Sequence, residues 1–172
     1  PMEPISEANA KSTRFPVAAV LVRRKSNSRW IDHSWNVTGI AVGRHADNTE
    51  TRPIRGSDDA AFFLVGGLDL ALFVDECESY YFNLVSETPR AYVVAHVDGT
   101  DGPPRPFRVT MSFDEAHAYL EGEDEIFAVD VPPEVYRWTE AFVVAHYFPE
   151  KKRKRKLRDW SRDQAGSPPE ML

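Results

Sequence analysis

The sequence predicts an α+β fold: a curved antiparallel sheet or partial barrel, with a capping C-terminal helix and a short second helix. Two observations carry this. Strand-like runs come first and helical ones gather towards the C-terminus. Consecutive short strands joined by tight turns pair antiparallel rather than winding into a parallel sheet. The 172 residues suit one domain, and a 42 % apolar content with ten Phe, six Tyr and four Trp supplies a core.

Residues 1–14 are polar and aperiodic and read as a flexible N-terminal arm. Phe15 to Val22 is a buried-strand pattern that ends in Arg23-Arg24-Lys25, and Asn27-Ser28 suits a turn. Arg29 to Val42, with Trp30, His33 and Trp35, is a second strand or a bent pair. Gly43 to Asp59 has no core pattern and reads as a long loop. Phe62 to Val65 and Leu68 to Phe73 flank Gly66-Gly67 and predict a hairpin. The aromatic-rich Glu78 to Ser86 predicts a strand buried on both faces.

Ala91 to Val97 and Arg105 to Met111 are strands on either side of an exposed loop. Ser112 and Glu115 have the spacing of a capping box, in which each side chain satisfies a free backbone donor of the other. The short helix they open runs to about Glu121 and stops at Gly122. Ile126 to Val131 is a last strand. Pro132-Pro133-Glu134 then starts a helix, because Pro is tolerated in the first turn. Val135, Trp138, Phe142 and Ala145 share one face of it, and it ends near Phe148. The domain therefore spans residues 15–149, and residues 150–172 form a basic tail of disordered composition.

Charge is unevenly divided. The first 150 residues hold 13 Lys and Arg against 24 Asp and Glu, whereas seven of the eight residues from Lys151 to Arg158 are basic. Lys151, Lys152, Arg153, Lys154, Arg155, Lys156 and Arg158 are the candidate partner-binding residues. Such a run suits nucleic-acid phosphates, an anionic lipid surface or an acidic protein face. It has no interleaved aromatics and adjoins an acidic body, so no specific nucleic acid is expected. Peripheral contact with an anionic surface through the tail stays open, and no apolar run is long enough to span a membrane.

No catalytic residues are singled out. Cys77 sits among Asp75, Glu76 and Glu78, which disfavour a thiolate. The five His form no metal-ligand spacing, so neither a metal nor a cofactor is expected. Gly66-Gly67 precedes an apolar strand rather than a helix and so is no phosphate loop. A lone Cys, no signal-like stretch and no span together predict a cytoplasmic protein. Two Trp around a His could form a ligand platform, and arginine forks suit phosphate. The candidate ligand residues are accordingly Trp30, His33, Trp35, Arg23, Arg90, Arg105 and Arg108.

Taken together, several pieces resemble a bacterial family known as domain of unknown function 3305. They are the strand ending Arg23-Arg24, the Trp30 and Trp35 pair, Glu78 to Ser86 with Pro89, Arg108 to Ala116, Pro132-Pro133-Glu134, Trp138, Phe142, His146-Tyr147 and the basic end. The chain departs from the family near Ala95-His96. The resemblance implies a setting beside molybdenum- or tungsten-containing formate dehydrogenases and their maturation factors. The expected function is a non-catalytic accessory, small-subunit or maturation protein that binds formate dehydrogenase subunits or maturation factors. The alternative is a molybdopterin- or nucleotide-handling protein of molybdenum cofactor biosynthesis.

Seven cations in eight residues cannot enter a core without desolvated partners. Deleting residues 151–172 should therefore leave the thermal melting of the domain unchanged. Partner affinity of the full chain should fall from low salt to about 0.15 M, where the Debye length is about 8 Å, while that of the truncated chain changes less. Unfolding of the truncated chain, or equal salt dependence of the two, would refute this.

Overall fold

The computed structural model describes residues 12–148, apart from Ser28, Ile31, Arg44, His45, Asp47, Asp58, Thr100 and Asp101. The seven strands are β1 (Ser12–Lys25), β2 (His33–Ala41), β3 (Thr51–Gly56), β4 (Ala60–Phe73), β5 (Arg90–His96), β6 (Arg105–Thr110) and β7 (Asp124–Asp130). The helices are α1 (Cys77–Leu84), α2 (Phe113–Ala118) and α3 (Pro133–His146). The strands lie in the order β2-β1-β4-β6-β5-β7, with β3 also on β4. Because β7 comes back against β2, the curved sheet nearly closes. The α+β class, the partial barrel and the C-terminal helix are as the sequence predicts.

The longest ladder joins β1 to β4, from Ser12 opposite Phe73 to Arg24 opposite Ala60. Its register slips once, between Val17 and Ala19, where Gly66 and Gly67 together oppose Ala18. Gly67 takes φ +75°, and a Cβ there would lie 2.5 Å from Thr49 Cγ2. The expected Gly-Gly hairpin is thus a β-bulge inside one 14-residue strand. The glycines bend the strand rather than reversing it, which increases its local twist. β1 begins at Ser12, inside the stretch read as an arm; residues 1–11 and 149–172 lie outside the described residues.

Three further expectations are corrected. Glu78 to Ser86 is not a strand: Cys77, Tyr80 and Leu84 are buried at helical spacing in α1. The aromatic content that suggests a strand reflects a helix that fills the core, and tertiary burial overrides propensity. The long loop contains β3, an edge strand whose Pro53 is tolerated because an edge needs no donor on one side. Pairing is also not wholly antiparallel. β4 meets β6 in parallel at Leu70 and Val109, since α1 and β5 intervene as a crossover.

The odd-numbered residues of β1 organise the core. Phe15 touches Trp138 of α3 with ring centroids 5.1 Å apart, and Val17, Ala19 and Leu21 join the main buried cluster. Tyr80 of α1 and Phe142 of α3 close that cluster from the helical side. Buried Asn83 seats α1: its Nδ2 donates to the carbonyls of Arg90 (2.7 Å) and Met111 (2.9 Å), and its Oδ1 accepts from Arg90 N–H (2.9 Å). Among the described residues no helix is long and apolar enough to cross a membrane.

Asn83→Ala would leave all three backbone groups unpaired. It should cost about 2–4 kcal/mol in urea denaturation, given about 1–3 kcal/mol for each buried group left unsatisfied and partial rescue by water. A loss below about 0.5 kcal/mol would show that the amide does not seat the helix.

Candidate functional site

The odd face of β1 leaves the core at Leu21 and continues as Arg23 and Lys25. Its cross-strand neighbours are Val37, Trp35 and His33 on β2, and Phe63 and Ala61 on β4. This end of the concave face is open. A cleft of about 350 Å³ lies there, walled by Trp35, Phe63 and Val65 and rimmed by Pro103 to Pro106 at the entry to β6. The Arg23 guanidinium lies 5.8 Å from the Trp35 ring centroid and 5.5 Å from that of Phe63. The two rings are themselves 5.5 Å apart. A cation over two aromatic faces is attracted by their quadrupoles.

Arg23 also lines a second, smaller cavity of about 80 Å³ with Lys25, His33, Ser57 and Asp59. Arg105, on the proline rim of the main cleft, pairs with Asp98 at 2.6 Å; both side chains are exposed. Of the seven candidate ligand residues, Arg23, Trp35 and Arg105 thus share the main cleft, and His33 joins through the small one. The other three stand elsewhere. Trp30 is 86 % exposed in the β1–β2 connection. Arg90 pairs with Asp130 at 2.6 Å, across the β5–β7 ladder. Arg108 Nε donates to Tyr119 Oη at 3.2 Å. Sequence reasoning missed Phe63 and the proline rim. Alternation through Leu21, Arg23 and Lys25 was the available signal, but only strand register shows what faces it.

A second concave feature lies between α1 and α3. This groove of about 290 Å³ is floored by Leu84 and Val143 and walled by Tyr81, Tyr136 and Tyr147. Tyr136 Oη donates to the Leu84 carbonyl at 3.2 Å and so ties the helices together. Val85 and Val144 stand at its edge, 61 % and 74 % exposed. Phe148, 69 % exposed, follows directly in the chain. The basic residues Lys151 to Arg158 come three positions later and lie outside the described residues. Tyr81, expected in a core strand, is instead a groove wall.

Cys77 is buried, and burial followed by the charge of Asp75 raises its thiol pKa, so it packs as a small hydrophobe. Among the described residues no group of three or more His, Cys, Asp or Glu is placed to hold a metal. The capping box forms by half. Ser112 Oγ accepts from Glu115 N–H at 3.0 Å, but Ser112 N–H donates to Thr110 Oγ1, also at 3.0 Å. The Glu115 side chain does not close the box and is half-buried, with a buried Oε1 that has no hydrogen-bond partner among the described residues. Burial raises its pKa above the ordinary carboxylate value and nearby Glu76 adds to this, against a hydrogen bond from Thr110 and the charge of Arg108.

The sequence profile of the family described as "Protein of unknown function (DUF3305)" matches residues 16–156. No curated protein and no solved structure matches the chain.

The titration of Glu115 has a testable sign. A folded-state pKa above the unfolded one means that the folded chain holds the proton more tightly. That stability is complete below the unfolded pKa, about 4.3, and is lost as pH rises through the folded value. Glu115→Gln removes this titration. Its melting temperature relative to the parent should be higher at neutral pH than below the unfolded pKa. An offset independent of pH would contradict the assignment.

Proposed function

We propose that this chain, which belongs to the DUF3305 family of proteins of unknown function, is a non-catalytic accessory protein that acts by protein–protein binding. The observation that carries this reading is the apolar groove between α1 and α3, with the basic run following it in the chain. Among the described residues Val85, Val144 and Phe148 keep their apolar surface exposed. Exposed apolar residues grouped around a concavity suit a docking anchor. A partner complementary to this arrangement carries an apolar side chain beside an acidic surface. The groove would supply affinity, and the cations would speed encounter and fix orientation.

The partner we propose is a cytoplasmic molybdenum- or tungsten-containing formate dehydrogenase, or a factor that matures it, with this chain as small subunit or maturation protein. This identity rests on the family resemblance. The docking chemistry supports only the kind of surface that the partner presents.

Val144→Glu tests the docking face. Its site is 74 % exposed on a helix, so the variant should fold with an unchanged melting temperature. Affinity for formate dehydrogenase subunits or maturation factors, captured with the full chain from its native host, should fall about tenfold or more. Capture of neither class, together with unchanged formate dehydrogenase activity when the gene is deleted, would refute the proposed partner. Equal binding by the variant would refute the groove.

A further inference from the structure

The cleft at the mouth of the sheet lies apart from the helical groove, and its chemistry is different. The body of the chain is strongly acidic, yet Arg23, Lys25 and Arg105 gather around this opening, with His33 beside them. Among the described residues Arg23 has no ion-pair partner. Among the described residues the acids that line the small cavity or pair with these cations are Asp59 and Asp98, which holds Arg105. The Arg105–Asp98 pair is exposed on both sides and contributes little to stability, so Arg105 can exchange Asp98 for a ligand anion. Arginine's planar fork matches a phosphate bidentately.

The walls limit the rest of the ligand. Trp35 and Phe63, inclined at 41° to each other, form an aromatic wall with the Arg23 guanidinium beside them, and planar bases stack on both aromatic rings and guanidinium planes. The main cleft, at about 350 Å³, is near the lower limit of small-ligand sites, which run from about 300 to 1,000 Å³. That volume suits one ring with its sugar. The adjoining cavity of about 80 Å³ is too small for a ring and has Asp59 in its lining, so an anion belongs on the main-cleft side of Arg23, facing Arg105. The fixed backbone of Pro103, Pro104 and Pro106 holds the rim in place without a ligand.

We propose that this cleft is a binding site for a nucleoside monophosphate. The base stacks on the aromatic wall of Trp35 and Phe63 beside the Arg23 guanidinium, and the phosphate is held between Arg23 and Arg105.

The test uses the full chain labelled with nitrogen-15, following the indole N–H resonance of Trp35 as AMP, GMP, CMP and UMP are each added to millimolar concentration. At least one of them should shift that resonance saturably. Its nucleoside and inorganic phosphate should each bind at least about tenfold more weakly, because each keeps only half of the contacts. Arg105→Ala and Arg23→Met should each weaken binding about tenfold or more, since each removes a charge-assisted hydrogen bond. Met at position 23 keeps an apolar stem beside the rings, and Arg105 is exposed, so thermal melting of both variants should match the parent. The proposal is overturned if none of the four nucleotides moves the Trp35 signal. It is also overturned if phosphate or the nucleoside alone binds as tightly, or if the folded Arg105→Ala chain binds as the parent does.

Discussion

The ladder between β1 and β4 is the constraint from which the rest of the structure follows. It runs almost the full length of both strands and bends once, where Gly66 and Gly67 oppose Ala18. Without that bend two 14-residue strands would form a long ribbon with only the ordinary sheet twist. With it, the sheet curls far enough for β7 to approach β2. β1 occupies one edge of β4 throughout, so β3 and β6 must share the other, at opposite ends of the bulge. Thr49 packs where a side chain on Gly67 would stand, so the bulge also holds the chain leading into β3.

A coiled sheet has two ends to fill, and the described helices fill one. Helices α1 and α3 supply Tyr80, Leu84, Val135 and Phe142 to the concave face beneath Phe15 and Val17. Buried polar groups fix their position. Asn83 spends both of its amide donors on the starts and ends of neighbouring strands, and Tyr80 Oη accepts the N–H of Phe73 at 3.0 Å. Satisfied polar contacts of this kind specify one docking pose where apolar packing alone would allow several. Among the described residues no helix arrives at the far end, and the same face of β1 ends in arginine and lysine beside Trp35 and Phe63.

The two concavities therefore divide the surface by chemistry. The groove between the helices is apolar and is followed in the chain by the basic run. The mouth of the sheet is aromatic and cationic on a body that is otherwise acidic. On the proposed reading the first serves a macromolecular partner and the second a small anion. Their separation lets each be altered without disturbing the other.

The sequence by itself determined the class of fold and most of the elements whose cause is local. A continuous apolar run marks β1, short apolar runs either side of a polar Gly/Pro loop mark β5 and β6, the Pro-Pro-Glu start marks α3, and the Ser112 cap marks α2. It also determined the division of charge, which is composition alone. Tertiary structure decided wherever one local pattern serves two states. An aromatic run became helix α1 because burial at spacings of three and four outweighed strand propensity. A Gly-Gly pair became a bulge because β1 pairs on past it without reversing. The sites needed the fold most. Arg23, Trp35, Phe63 and Arg105 lie on four different strands, and only the register of the curled sheet brings them to one opening, since a one-residue slip would turn each to the opposite face.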